Sequence, residues 1–248
     1  MPTNWGARNF SGGNVTASLP TALNAYGGPL TAAFWGNPTT VSANNGVLVQ
    51  LTDTNLSNRG FWLILSSFNL GTTSSHWGGG FAGQAYLDSG QTLTAGTWTH
   101  LAMTKDGAGA WALLQNGAQV QNGGGVYSVL NTSTDIYKFV SSTNAGSLAD
   151  FALWTIVLTA LELAALAKGA RPNTIRPANL ISYFPLDGLQ SPEPDLANYA
   201  AGTVAGATSA AFGPPFSPST RRWPQYNAPP PQVSVAYQRA QQILMTGP

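Results

Sequence analysis

Residues 97–121 constrain the fold more than any other part of this 248-residue chain. The run 97–104 (TWTHLAMT) places Trp98, His100, Ala102 and Thr104 on one face and Thr97, Thr99, Leu101 and Met103 on the other, the period of a strand. Lys105, Asp106 and Gly107 break the run with a turn, ascribed here to the positive φ that Gly107 tolerates. Residues 111–115 return as a strand, and Asn116-Gly117 is the strongest two-residue hairpin signal available. Residues 118–121 then open a third strand. A meander of this kind commits the chain to sheet packing against a second layer.

The same texture runs from Asn9 to about Val157, as short β-rich runs punctuated by Gly, Asn, Ser and Pro. Residues 30–35, 46–51 and 60–66 read as strands, with the polar stretch 52–59 around Leu56 as a surface loop. One helix interrupts the pattern. Thr159 and Glu162 form a capping box, Leu158 and Leu163 staple it, Leu161, Ala164, Ala165 and Lys168 continue it, and Gly169 ends it. So short and singular a helix is expected as an accessory on a sheet edge. Residues 179–186 read as another strand, and 200–211 as the last, weakly β one. Beyond Phe212 the proline density excludes sheet and helix and favours an extended arm. The expected organisation is therefore a sandwich over residues 1–212 and a Pro-rich arm with a docking segment over 213–248.

Charge narrows the function classes. Ten basic and nine acidic residues leave a net charge of +1, and only 8% of residues are charged. No basic stripe tracks a phosphate backbone, so nucleic acid is not an expected partner. The nearest candidate, Arg221-Arg222 between Pro218 and Trp223, reads as a solvated or inter-subunit contact. A surface dressed in amides and hydroxyls suits packing against a protein partner or hydrogen bonding to neutral sugars. Cysteine is absent, which excludes disulfides, thiol nucleophiles and thiolate metal sites. Residues 1–6 show no basic segment leading into an apolar one, so no secretion signal is expected, and no apolar run is long enough to span a bilayer.

Residues 96–107 (GTWTHLAMTKDG), followed by 114–117 (LQNG), and the block 149–154 (ADFALW) leading through Leu158-Thr159 into the helix, resemble the laminin-G-like branch of the concanavalin A-like lectin/glucanase superfamily. With residues 9–13 and 30–38 they carry the resemblance over roughly residues 5–170. It implies an all-β, two-sheet antiparallel jelly roll used for glycan binding, adhesion or assembly, with hydrolases in some branches. Residues 181–188 (ISYFPLDG) and 202–204 resemble the segment that usually opens such a domain, which is the arrangement a circular permutation gives when termini are neighbours.

The chemistry of the hydrolase branch is missing. Glycoside hydrolysis needs two facing carboxyl groups, and the branch carries them as Glu-x-Asp-x-x-Glu on a strand. Here the only glutamates are Glu162, in the helix cap, and Glu193, in a proline-flanked turn. His100 reads as a structural histidine, hydrogen-bonded across the sheet, rather than a base. Many relatives bind calcium at the rim. Asp150 stands at a family position and is open to two readings, a calcium ligand or a structural acceptor. No other cofactor is expected. Sugar binding calls for an exposed aromatic platform beside hydrogen-bonding groups. Trp62, His76 and Trp77 are the candidates, burial in the core being the alternative for each tryptophan.

The expectation from these observations is a non-catalytic structural or decoration protein of a larger assembly. The most specific form is a bacteriophage virion component, homo-oligomeric or bound to a virion or other extracellular particle. Its arm would anchor on other subunits through Arg221, Arg222, Trp223, Tyr237, Ile243 and Leu244. The alternative is a free-standing lectin or adhesin module that binds cell-surface carbohydrate.

Overall fold

The computed structural model describes residues 6–10, 13–39, 41, 46–53, 61–65, 76–81, 87–124, 135–139, 146–198, 201–210 and 212–215. In chain order the strands are β1 (Arg8–Asn9), β2 (Asn14–Ser18), β3 (Leu30–Pro38), β4 (Gly46–Asp53), β5 (Phe61–Leu65), β6 (His76–Phe81), β7 (Leu87–Thr92) and β8 (Thr99–Lys105). They continue as β9 (Ala110–Gln115), β10 (Ala118–Gly124), β11 (Asp135–Phe139) and β12 (Gly146–Trp154), before the helix α1 (Ala160–Ala167). After α1 come β13 (Leu180–Phe184), β14 (Glu193–Pro194), β15 (Ala201–Ala205) and β16 (Thr208–Ser209).

These strands form two antiparallel sheets that pack face to face, the jelly roll expected from the sequence. The first sheet runs β10-β9-β8-β3-β12-β1-β16, with β13 also paired to β12. The second runs β14-β15-β2-β11-β4-β5-β6-β7. Between them lie Phe34, Leu101, Met103, Phe151 and Phe184 from the first sheet and Val15, Leu51, Trp77, Tyr137 and Phe139 from the second, all buried. Tyr137, Phe139, Phe151 and Phe184 meet largely edge to face, with Phe139 and Phe151 centroids 5.0 Å apart. Each ring stabilises the fold by roughly 1.5–3 kcal/mol through burial alone. Tyr137 can be this deep because its hydroxyl pairs with Ser182 Oγ at 2.7 Å.

The meander forms as its alternation dictates, β8 pairing β9 and β9 pairing β10. Its second turn is made by Asn116 (φ 52°) and Gly117 (φ 82°), both left-handed. The first turn differs from expectation in detail. The positive φ sits at Gly109, not Gly107, because Asp106 Oδ1 accepts from the backbone N–H of Ala108 and Ala110 and carries the reversal two residues further.

The capping box is formed in both directions. Thr159 N–H donates to Glu162 Oε2 at 2.8 Å, and Glu162 N–H donates to Thr159 Oγ1 at 3.3 Å. The helix lies on the outward face of the first sheet rather than at an edge. Leu158, Leu163 and Leu166 pack on Ala33, Ala102 and Ala152, whose small side chains leave room for it. Trp35, Ala149 and Ala7, with half-buried Trp98, form a separate apolar cluster.

The two ends of the sandwich sequence close on each other. β1 pairs β16, β2 pairs β15, and β13 lies along β12 beside β1. The short strand β14 replaces the turn expected around Glu193.

Candidate functional site

α1 occupies part of the outward face of the first sheet, and the outward face of the second carries a row of polar residues. Its composition follows from strand alternation. Val15, Ala17, Leu51, Tyr137 and Phe139 point into the core. Asn14, Thr16, Ser18, Ile136 and Lys138 therefore lie outward, and each is half-buried or exposed. Cross-strand register threads one row along this face: Thr203 opposite Thr16, Thr16 opposite Lys138, Lys138 opposite Gln50, Gln50 opposite Trp62, and Trp62 opposite Gly80.

The β6 sequence HWGGGF shapes one end of the face. Trp77 belongs to the inward set: it is wholly buried in the core, and its indole N–H donates to Gln115 Oε1 at 2.6 Å. It offers no ring face to a ligand, which corrects its candidacy as a sugar platform. Burying the largest side chain and satisfying its single donor internally is the lower-energy arrangement. Gly78 and Gly80 fall on the outward parity with no side chain of their own. Glycine inside a strand is how a sheet lets another group approach its backbone.

His76 lies outward, and its Nδ1 is 3.1 Å from Asp88 Oδ2. Asp88 Oδ1 also accepts the Gly90 N–H at 2.8 Å, which fixes the carboxylate. The pair leaves the imidazole as an oriented polar group beside Gly78, whose partner across the ladder is Asp88. Trp62 stands in β5 at a register position shared with Gln50 and Gly80.

Sequence reasoning passed over Gln50 and Lys138. Gln50 is 2% exposed, and its Nε2 has no hydrogen-bond partner among the described residues. The available signal was the alternation Ile136-Tyr137-Lys138-Phe139, which sets a cation on the polar side of a strand.

Asp150 makes the contacts of a structural acceptor. It is buried in a β-bulge of β12 with φ 53°, a conformation aspartate tolerates better than most residues. Its N–H donates to Pro185 O, and its Oδ1 accepts from the Tyr183 hydroxyl at 2.8 Å. Calcium needs six to eight oxygens, usually several of them carboxylate. Among the described residues no three His, Asp or Glu side chains come together in that way.

The glutamates are committed elsewhere. Glu162 caps α1 and accepts from Arg176 Nε. Glu193 is buried against Arg8, whose Nε donates to Glu193 Oε2 at 2.9 Å, and it also accepts the Leu186 N–H. This ion pair crosses from the first sheet to the second, and no local sequence signal announces it. Burial pushes the Glu193 carboxyl up to about 7 against the pull of the guanidinium. His100 is buried, but the cross-sheet hydrogen bond expected of its ring is missing at Nδ1, which has no partner among the described residues. It packs edge-on against Trp35 instead, with centroids 5.3 Å apart. Desolvation holds it near 3 and therefore neutral.

The profile of the concanavalin A-like lectin/glucanase superfamily matches residues 11–164, more than half of the chain. The chain belongs to that superfamily. No curated protein matches it in sequence. Among solved structures, this concanavalin A-like fold is similar to a candidate carbohydrate-binding protein from Bacteroides ovatus, with a TM-score of 0.68 and 17% identity over 86% of this chain and 62% of that one. The binding domain of botulinum neurotoxin serotype D is similar at a TM-score of 0.50 and 16% identity, over 65% of this chain and 42% of that one. The botulinum neurotoxin DC binding domain, solved with rat synaptotagmin II, is similar at 0.50 and 13%, over 65% and 41%. The chain thus spans about three-fifths of the first of these and two-fifths of the others. At these identities the likeness is one of fold.

The superfamily match ends at residue 164, whereas the concanavalin A-like sheets take in strands as far as Ser209. The expected anchoring residues Arg221, Arg222, Trp223, Tyr237, Ile243 and Leu244 lie outside the described residues. No described helix is long and apolar enough to cross a membrane.

Proposed function

We propose that this chain is a non-catalytic carbohydrate-binding module that takes its ligand on the outward face of the second sheet and works where glycans are displayed, outside the cell that makes it. The observation that carries this reading is the cross-strand row in which Trp62 stands between Gln50 and Gly80. A tryptophan and an amide at neighbouring register positions are the residue types that sugar sites use, the ring for stacking and the amide for hydrogen bonds. Membership of the superfamily and the fold shared with a candidate carbohydrate-binding protein support the same reading. The family and fold comparisons favour this alternative over a virion or decoration role. The commitment of Glu162 and Glu193 to a helix cap and a buried ion pair supports the absence of glycosidase activity.

The test is a glycan array probed with the full chain, followed by calorimetry on the hits with Trp62→Ala. Binding should weaken by about tenfold or more in the variant, the loss of one aromatic platform. A blank array, or a variant that binds as well as the parent, rejects the proposal.

A further inference from the structure

The outward row contains one charge. Lys138 is in β11, the fourth of eight strands in the second sheet and far from either edge. It lies between Thr16 on one side and Gln50 on the other, so its cross-strand neighbours are neutral hydrogen-bonding residues. It is half-buried, and none of the ion pairs among the described residues includes it. The acidic residues nearest along these strands, Asp53 and Asp135, face each other at the strand ends. They are three residues from Lys138 and Gln50, about 10 Å away along the strand. At the far end of the face Asp88 is engaged with His76.

A second observation points the same way. Gln50, directly opposite Lys138, is 2% exposed and holds a donor, Nε2, with no acceptor among the described residues. A buried amide N–H left without an acceptor is costly, and nearly all such groups in folded proteins are satisfied. Here a lysine and a glutamine, each carrying N–H donors, are cross-strand partners on adjacent central strands, with the Trp62 position next in the row. What complements two adjacent donors, one of them cationic, is an anionic acceptor joined to a ring.

Resting on the proposed carbohydrate-binding role, we infer that this face selects carboxylated glycans, uronate- or sialate-bearing, with Lys138 as the carboxylate-recognising residue and Gln50 beside it. A chain with only 8% charged residues has little background charge of its own to attract polyanions, so the discrimination is local to this row.

Two matched pairs of probes test this by calorimetry on the full chain: polygalacturonate against its methyl ester, and sialyllactose against lactose. Each pair keeps the sugar and removes the charge. The expected result is a preference of about tenfold or more for the charged member of at least one pair, the effect of a charge-assisted hydrogen bond. Raising the salt concentration should reduce that preference. Lys138→Gln should abolish it while leaving thermal unfolding unchanged, and Lys138→Arg should keep it. Equal binding of both members in both pairs, or a preference that survives Lys138→Gln, overturns the inference. Equally tight binding of dextran sulfate also overturns it, by showing polyanion adhesion without recognition of a carboxylated sugar. Failure of the parent reading looks different: no glycan, charged or neutral, then binds in either these titrations or the array. Neutral sugars that bind without any charge preference remove only the carboxylate specificity.

Discussion

At the scale of single residues, two buried titratable groups set opposing demands on pH. Glu193 titrates near 7 in the folded protein and near 4.5 when free, so the folded state holds its proton more tightly. Its contribution to stability is complete below about 4.5 and is lost as pH rises through 7. His100 titrates near 3 when folded and near 6.5 when free, so the folded state holds its proton less tightly. Its contribution is complete above about 6.5 and is lost as pH falls toward 3. Between 4.5 and 6.5 the two slopes have opposite sign and similar size. The unfolding free energy contributed by this pair should therefore be nearly flat across that window. Replacing His100 by Gln should make stability fall with rising pH there, and Glu193→Gln should make it rise. Denaturant midpoints at several pH values check this, and parallel slopes in all three proteins reject it. Above pH 7, where Glu193 is ionised, the Glu193 variant also leaves Arg8 buried without its ion-pair partner, a loss of about 3–5 kcal/mol. His100 was legible in sequence as structural because it sits mid-strand in an alternating run. Its partner ring Trp35, like the Arg8–Glu193 pair, was not legible, because the contacts join positions 65 and 185 residues apart.

At the scale of elements, the β9–β10 hairpin and α1 support each other. Gly117 has φ 82°, and a Cβ there would lie 2.7 Å from Ala164 Cα in the helix. Gly107, in the neighbouring turn, has open space around it. Gly117→Ala should cost about 2 kcal/mol or more through backbone strain and displacement of the helix, and Gly107→Ala should stay within about 0.5 kcal/mol. Chemical denaturation of both variants decides it, and equal costs would show that α1 does not press on the hairpin. Local chemistry made both elements readable: Asn116-Gly117 encodes its own turn, and Thr159 with Glu162 encodes its own cap. Where α1 docks was not readable, because that depends on Ala33, Ala102 and Ala152, which come from three strands and become a shallow bed only once the sheet is assembled. The same limit applied to the outward row. Alternation in β11 reveals a polar face, but only register shows Lys138 beside Gln50 and Gln50 beside Trp62.

At the scale of the whole molecule, the sandwich depends on residues beyond the family match. Strands β13 to β16 add to both sheets, and Arg8 in β1 reaches Glu193 in β14 across them. A chain ending at Gly169 would keep everything the superfamily profile covers, yet lose those strands. It should show no cooperative thermal transition and should elute as soluble aggregate, since the edges of β12 and β2 are then left bare. A monomeric, cooperatively melting fragment would show that the later strands are ornament. The closure of β1 on β16 and β2 on β15 also bears on biosynthesis. A ribosome delivers the early strands long before their partners, so through most of translation the nascent sheets wait with unpaired flanks. Native docking becomes available only when residue 209 clears the exit tunnel. For this topology, strands made late in synthesis complete sheets that were begun early.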